Sequence, residues 1–165
     1  MSSMFDLSGR VSLVSGAASG MGKAVALAVA EAGSDIVLAD IHEAGAHAVA
    51  QEIEALGRKA LPVVCDISSP EAIRAMFTQI DETFGRIDFV ANIAGEAVRK
   101  KPEIIELDEV EWTWRNIVYG RFCICQEAGR RMLEQGRGSI INLGSLASIT
   151  ALGRGHIAYS MAMGA

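Results

Sequence analysis

Short apolar runs alternate along this chain with longer stretches in which apolar residues recur at helical spacing. The apolar runs are continuous and have no polar face, which is typical of strands that are buried on both sides of a sheet. Glycine, proline and acidic residues separate the two kinds of segment. We predict five strands, at residues 11–14, 35–40, 60–65, 87–91 and 139–143.

Helices are predicted between the strands, at residues 23–32, 43–56, 70–84 and 107–135. The third begins with Ser68-Ser69-Pro70-Glu71, in which a hydroxyl cap precedes a proline of the first turn. Gly120 and Gly129 interrupt the fourth, so we expect it to bend there or to be approached closely by another helix. This alternation predicts an α/β fold, a doubly wound parallel sheet (Rossmann fold) with helices on both faces.

Composition and charge exclude several classes of protein. The formal net charge of −5 gives no basic surface for nucleic acid or for an anionic membrane, and we expect neither partner. The basic runs Arg99-Lys100-Lys101 and Arg130-Arg131 are interpreted as solvated surface. Cys65, Cys123 and Cys125 lack metal-ligand spacing to histidine, so we expect buried thiols and no metal site. We recognise no signal peptide and no membrane-spanning run, and expect a soluble, cytoplasmic protein.

Gly16, Gly20 and Gly22 stand between the first strand and the first helix. This arrangement presents unpaired backbone N–H groups at a helix N-terminus, where they and the helix dipole attract an anion such as a pyrophosphate. Glycine suits the turn because a Cβ would block the close approach of the anion and disfavour unusual φ values. On the glycines alone, a helix-entry loop of any α/β protein is an equally good interpretation.

Asp40 ends the second strand, 18 residues after Gly22. Dinucleotide-binding folds place an acidic residue at about this distance, where its carboxylate accepts hydrogen bonds from the ribose hydroxyls of the adenosine. The same carboxylate would repel a 2′-phosphate, so Asp40 favours NAD over NADP. The alternative is that Asp40 is the N-cap of the helix that begins near Glu43.

Three motifs carry a resemblance to a known family. Ser15-Gly-Ala-Ala-Ser-Gly-Met-Gly22 resembles the Thr-Gly-x-x-x-Gly-x-Gly motif of the short-chain dehydrogenase/reductase family. Cys65-Asp66-Ile67-Ser68 resembles that family's Asp-Ile or Asp-Val after the third strand, and Asn92-Ile93-Ala94-Gly95 resembles its Asn-Asn-Ala-Gly after the fourth. The resemblance covers the whole chain. It implies that the following residues bind NAD: Gly16, Ser19, Gly20, Met21, Gly22, Asp40, Asp66, Ile67, Asn92, Ala94 and Gly95.

The same resemblance implies a catalytic set in the second half of the chain. Asn116 lies in the long helix four residues before Gly120, as in the family's Asn-x-x-x-Gly. Ile141-Asn-Leu-Gly-Ser145 resembles the fifth-strand motif that ends in the catalytic serine, and Tyr159 follows at a family-like distance. By resemblance, Tyr159 is the general acid/base, Ser145 polarises the substrate carbonyl, and Asn116 is a further member of the catalytic set.

Each of these residues also has a purely structural interpretation. Asp66 suits the turn that follows it, Asn92 can be an ordinary turn residue, and Asn116 can bond to helix backbone. Ser145 is one of several loop hydroxyls, and Tyr159 can be a packing residue. The order and spacing of the motifs, rather than any single residue, favour the functional interpretation.

One position departs from the family pattern: the family carries a lysine four residues after the tyrosine, where this chain has Met163. A tyrosine hydroxyl ionises at about pH 10 in model peptides, so a tyrosine base near neutrality needs about 4 kcal/mol of preferential phenolate stabilisation. A thioether supplies neither charge nor a donor, and Lys23 lies too far along the fold, at the phosphate end. We therefore expect slow hydride transfer, or a site that has moved its chemistry and is helped by the positive nicotinamide of NAD. The competing interpretation is an NAD-binding relative that acts as a binding or sensor module.

The resemblance implies an NAD-dependent oxidoreductase that interconverts a secondary alcohol and a ketone. The run Arg99-Lys100-Lys101-Pro102 resembles a loop of members that act on sugar acids such as gluconate, which favours a sugar acid or polyol as the small-molecule substrate. A solvated basic turn is an equally good interpretation of that run. Family members pair through the long helix and the helix near Tyr159, which implies a homodimer or homotetramer.

Residues 1–165 are treated as a single dinucleotide-binding domain, since a chain of this length with 50% hydrophobic residues can bury a core of its own. The sequence stops soon after the predicted start of a helix. We therefore expect it to be the N-terminal two-thirds of a longer protein, and a fragment that cannot fold alone is a third interpretation.

Overall fold

The apolar runs of the sequence form one all-parallel sheet in the computed structural model, which describes residues 5–150, 153 and 155–165. The strands are β1 Val11–Ser15, β2 Asp35–Asp40, β3 Ala60–Val64, β4 Phe89–Asn92 and β5 Ser139–Asn142. They lie in the order β3-β2-β1-β4-β5, each paired in parallel with its neighbours. The order reverses at β1, so the chain winds away from the middle of the sheet in both directions.

Helices connect the strands and cover both faces of the sheet. They are α1 Gly20–Glu31, α2 Glu43–Ala55, α3 Pro70–Phe84, α4 Leu107–Trp114, α5 Gly120–Gln135 and α6 Ile157–Gly164. Helices α1 and α2 pack on one face around a core that includes Leu38 and Ile53, and α3 and α5 pack on the other around Phe77 and Ile124. The predicted doubly wound α/β fold is confirmed.

The ends of the predicted elements agree with the structure to within about three residues, and α3 agrees at both ends. The hydroxyl of Ser69 accepts a hydrogen bond from the backbone N–H of Ala72 at 3.2 Å, and Pro70 occupies the first turn. Gly85 ends the helix in the left-handed conformation, with φ +66°. The cap, the proline and the terminal glycine therefore fix α3 as the sequence predicts.

The long helical region between β4 and β5 contains a π-helical turn, Arg115–Tyr119, which joins α4 to α5. Gly120 follows it, and a Cβ on Gly120 would lie 2.1 Å from the carbonyl oxygen of Ile67. The predicted close approach is therefore present, but it is made by the loop after β3 and not by another helix. At Gly129 no described atom lies within 4 Å of the position of a Cβ.

The interpretation of Arg130-Arg131 as solvated surface is wrong for Arg131. Its guanidinium binds the carboxylates of Asp81 and Glu127 and lies 4.8 Å from the ring centroid of Phe77. Glu127 is buried and is also bound by Arg130. Asp81 lies 50 residues away in the sequence, so nothing near Arg131 along the chain indicates this carboxylate as its partner.

A second charged cluster lies at the amino ends of the strands. The buried Asp88 accepts hydrogen bonds from Arg86 and Arg10 and from the backbone N–H of Val11 at 3.0 Å. Burial acts to raise the pKa of Asp88, but these hydrogen bonds outweigh it and hold the pKa below its usual value. The cluster joins the starts of β1 and β4 at the edge of the sheet opposite the glycine-rich turn.

We expect Asp88→Asn to lower the unfolding free energy by about 2 kcal/mol near neutral pH, because it weakens charged hydrogen bonds at a buried position. Since the folded pKa of Asp88 is depressed, its contribution is complete above about pH 4 and is lost as the pH falls through the folded pKa. Urea unfolding at a series of pH values should therefore show a steeper acid loss for the unmodified chain than for the variant. Equal acid slopes would contradict the role of Asp88.

Gly120→Ala and Gly129→Ala form a matched pair within α5. We expect Gly120→Ala to destabilise the fold by about 2–3 kcal/mol, because its Cβ would overlap the Ile67 carbonyl. Gly129→Ala should stabilise it by up to about 1 kcal/mol, since it adds helix propensity at an open position. Thermal melts of the two variants measure the difference, and equal melting temperatures would contradict the close approach at Gly120.

Candidate functional site

A cleft opens at the carboxyl ends of β1 and β4, where Ser15 and Asn92 are paired in register. The connections from these two strands leave toward opposite faces of the sheet, which is where open α/β folds bind ligands. The cavity there has a volume of about 490 Å³. The predicted residues that line it are Gly16, Ser19, Gly20, Met21, Gly22, Asp40, Asp66, Ile67, Ala94, Gly95 and Asn116.

The glycine-rich turn forms the floor of this cleft through a close contact between backbones. A Cβ on Gly22 would lie 1.9 Å from the carbonyl oxygen of Gly16, so no side chain fits at position 22. Gly16 itself has φ +72° and packs against the backbone of Ala94. Ser19 precedes α1 and makes no side-chain capping bond in the structure described, so its side chain does not satisfy the first N–H groups of α1. The first three residues of α1 line the cavity.

Asp40 ties the glycine-rich turn to the end of β2. One carboxylate oxygen accepts the backbone N–H of Ala18 at 2.9 Å, and the other accepts that of His42 at 2.9 Å. The N-cap of α2 is His42, whose Nδ1 accepts the N–H of Gly45 at 3.1 Å, so the interpretation of Asp40 as that cap is wrong. Each carboxylate oxygen retains a lone pair for a ligand in the cleft.

Asp66 and Asn116 combine a structural contact with a position on the cavity wall. The carboxylate of Asp66 accepts the N–H of Ser68 at 2.8 Å, as the turn interpretation predicts. The side-chain amide of Asn116 donates to the carbonyl of Trp112 at 3.1 Å, within the helical region that contains the π turn. Both residues line the cleft all the same. The structural and the ligand-binding interpretations are therefore compatible for these two residues.

Asn92 does not line the cleft, contrary to the expectation for it. Its side chain is fully buried and donates to the side-chain oxygen of Asn142 on β5 at 2.9 Å and to the sulfur of Cys125 at 3.4 Å. Sequence could not show which way this side chain turns, because β4 is buried on both faces. The hydroxyl of Ser15 holds the loop instead, accepting the N–H groups of Ile93 and Ala94 at 3.0 and 3.2 Å.

Tyr159 lines a second cavity of about 600 Å³, which shares the walls Gly95 and Glu96 with the cleft. Its ring meets the His156 ring edge-on, with 6.2 Å between centroids. Ser145 follows β5 and is not among the described residues that line either cavity. Its hydroxyl oxygen accepts the N–H of Ala147 at 3.2 Å and caps a short 3₁₀ turn. The structure brings Tyr159 beside the cleft and holds Ser145 at the end of the neighbouring strand.

Arg121 was missed by the sequence analysis. It is half-buried in the first turn of α5, and its Nη1 donates to the carbonyl of Leu143 at 2.7 Å. Nε and Nη2 donate to the carbonyl of Ala94 at 3.4 and 3.2 Å. Gly95 makes room for it, since a Cβ there would lie 3.2 Å from Nη2. The sequence feature that could have indicated its role is a lone arginine in an apolar stretch, directly after Gly120.

The expectation of buried thiols holds for Cys65 and Cys123 but not for Cys125. Cys65 and Cys123 are buried and Cys125 is half-buried, all as free thiols. Burial raises the pKa of the Cys65 thiol to about 11, which makes it unreactive. Among the described residues, no group of three or more histidine, cysteine or acidic side chains could hold a metal ion, and no helix is long and apolar enough to cross a membrane.

Residues 10–165 match the family model of the short chain dehydrogenases. The chain belongs to the short-chain dehydrogenase family. It is 37% identical over 155 residues to a D-threitol dehydrogenase of Mycolicibacterium smegmatis and 39% identical over 157 residues to an NAD-dependent glycerol dehydrogenase of Listeria innocua. Each match covers 94% of this chain and 59% of the relative, so the chain spans about three-fifths of their length.

Solved structures of short-chain dehydrogenases resemble this chain along nearly its whole length. An NAD⁺-bound xylitol dehydrogenase superimposes with a TM-score of 0.91 at 29% identity, covering 98% of this chain and 62% of that one. A 7α-hydroxysteroid dehydrogenase in complex with NADH gives a TM-score of 0.92 at 26% identity, covering 97% and 62%. The shared fold therefore includes the glycine-rich turn, the cleft and the segment that carries Tyr159.

Proposed function

We propose that this chain is a dinucleotide-binding domain of an NAD-dependent oxidoreductase that interconverts a secondary alcohol and a ketone. The observation that carries the proposal is the cleft itself. The backbones of Gly16 and Gly22 are in close contact, so the start of α1 lines the cavity, and Asp40 lines it as well. A pyrophosphate fits against those N–H groups, and a ribose fits beside the carboxylate.

The charge of the cleft supports NAD rather than NADP. The acidic side chains Asp40, Asp66 and Glu96 line the cavity, and none of its described lining residues is a lysine or arginine. Lys23, on α1, is engaged by Glu52 at 2.7 Å. A 2′-phosphate would thus meet like charges and no cation, whereas ribose hydroxyls would meet good acceptors.

The proposed reaction assigns the proton transfers to this chain's own side chains. When bound, NAD supplies the nicotinamide that accepts a hydride from the carbinol carbon. Tyr159 takes the hydroxyl proton of the alcohol and returns it in the reverse direction. Ser145 lies at the end of β5, outside the lining of both cavities, and its oxygen accepts the N–H of Ala147, so its own O–H remains the donor that the proposal assigns to the substrate oxygen. Asn116 supports the cleft wall between cofactor and substrate.

Polyols are the proposed substrate class, and sugar acids are the second class to test. Two of the most similar relatives carry the names of D-threitol and glycerol dehydrogenases. Of the basic run, Arg99 lines the cavity of Tyr159, whereas Lys100 is engaged by Glu109. A guanidinium at this place suits hydroxyl groups and also a carboxylate. The exposed apolar side chains Tyr119, Phe122 and Leu133 of the long helical region fit a homodimer or homotetramer.

Met163 favours a second candidate function, an NAD-binding module with little turnover. The side chain stands one helical turn beyond Tyr159 and carries no charge, so it gives the phenolate no electrostatic support. The two candidates share the cofactor and differ in turnover. Oxidation of D-threitol or glycerol with NAD⁺ separates them.

We expect calorimetric titration to give saturable binding of NADH and at least tenfold weaker binding of NADPH. Asp40→Asn should reduce that preference, because it removes the charge that repels the 2′-phosphate while it keeps the shape of the side chain. Asp35→Asn is the matched control, since Asp35 lies at the other end of β2 and accepts the N–H of Lys59. Equal affinity of the unmodified chain for both nucleotides would contradict the NAD assignment.

Tyr159→Phe should lower kcat for polyol oxidation by about 100-fold or more, because general acid–base catalysis typically contributes that much. NADH affinity should stay unchanged, since the cleft lining does not include the Tyr159 hydroxyl. Steady-state kinetics and calorimetry on the same preparations give the two values. NADH binding without any turnover in the unmodified chain would select the binding module instead.

A further inference from the structure

Arg121 joins the ends of β4 and β5 where they border the proposed site. Its guanidinium donates to the carbonyl of Ala94, which lines the cleft, and to the carbonyl of Leu143, two residues before Ser145. These bonds fix the plane of the guanidinium between the two strand ends. The side chain therefore holds a residue of the cleft wall and is not a solvated surface arginine.

The positive charge of Arg121 has no carboxylate partner within ion-pair distance among the described residues, unlike that of Arg131 or Arg86. Burial lowers the pKa of the Arg121 guanidinium, and attraction to Tyr159 and to Cys125 acts in the opposite direction. An arginine nevertheless stays charged in a protein. A half-buried cation bound only by neutral carbonyls favours a negative charge close to it.

Arg121 also reaches the helix that carries Tyr159. Its Nη1 lies 3.8 Å from the sulfur of Met163, a weak and uncharged acceptor. Met163 and Tyr159 are four residues apart in α6 and therefore lie on the same face of that helix. The guanidinium thus contacts α6 at the residue one helical turn beyond Tyr159.

We propose that Arg121 is a positioning residue that stabilises the phenolate of Tyr159 and so replaces the charge that Met163 does not provide. The inference rests on the proposed function, because it names the support of the same acid–base group. It predicts that the chain does not need a lysine at position 163 for proton transfer near neutral pH. In this proposal the positive charge comes from Arg121 on α5, at the ends of the sheet strands, and not from a lysine on α6.

The other charged groups near Tyr159 do not provide this support. Glu96 lines the same cavity but carries a negative charge, and Arg99 lines it from an exposed loop position. His156 meets the Tyr159 ring edge-on. Lys100 forms a bridge with the backbone of His156, but its charge is engaged by Glu109. Arg121 combines partial burial with a fixed position.

Ultraviolet titration of tyrosinate tests the inference without requiring turnover. The chain has two tyrosines, so Tyr119→Phe leaves Tyr159 as the single titrating phenol. In this background we expect Arg121→Met to raise the midpoint of the tyrosinate transition by about one pH unit or more, a tenfold change in ionisation. Adding Met163→Lys should return the midpoint toward its original value, because an ammonium group then faces the phenol from α6.

Two further variants separate charge from structure. Arg121→Gln retains amide donors for the strand-end carbonyls but removes the charge, so it should raise the midpoint as Arg121→Met does. Arg99→Met is the matched control and should change the midpoint much less. An unchanged midpoint in Arg121→Gln, or no recovery when Met163→Lys is added to Arg121→Met, would overturn the inference.

Kinetics on the full chain then connect the inference with the reaction. In oxidation of D-threitol with NAD⁺, Arg121→Gln should lower kcat about tenfold near neutral pH and move the rise of kcat/KM to higher pH, while NADH affinity is kept. If the unmodified chain binds NADH but does not turn over, the proposed oxidoreductase activity fails. The tyrosinate titration still decides the role of Arg121 in that case.

Discussion

At the start of α1 two stretches of backbone approach each other so closely that no side chain fits between them. A Cβ on Gly22 would lie 1.9 Å from the Gly16 carbonyl oxygen, and the rest of the site is arranged around this contact. This contact packs the start of α1 against the residue that follows β1, and Gly16 also packs against Ala94, which follows β4. Asp40 holds the same turn from β2 through the N–H of Ala18. Three strand ends therefore depend on one contact that only glycine permits.

The fold and the cleft lining could be predicted because both follow from local order in the sequence. Continuous apolar runs determine the parallel sheet, and Ser69 with Pro70 determines the start of α3. The glycines and Asp40 are recognisable because they lie at consecutive strand ends, which a parallel sheet brings to the same edge. Proximity in the cleft is thus a consequence of topology and requires no knowledge of side-chain packing.

The features that sequence did not reveal depend on distant partners or on the direction of a side chain. Asn92 turns toward β5 and not toward the cleft, which no pattern along a doubly buried strand indicates. Arg131 meets Asp81 from 50 residues away, and Arg121 meets carbonyls that belong to two different strand ends. Charged residues in amphipathic helices suggest solvent exposure, so interior cations of this kind are found only when the fold is known.

The two ends of the sheet differ in how their charges are satisfied, and this difference explains why the site lies where it does. At the amino ends, Asp88 is buried among arginines and backbone donors, so each charge there has a partner and contributes to stability. At the carboxyl ends, no side chain caps the start of α1, and the partners of Arg121 among the described residues are the neutral carbonyls and the Met163 sulfur. Unsatisfied charge is costly in a folded protein unless a ligand or a reacting group completes it. The charged groups at the amino ends of the strands therefore stabilise the sheet. At the carboxyl ends, the N–H groups of α1 would be satisfied by a dinucleotide, and the guanidinium of Arg121 by a phenolate.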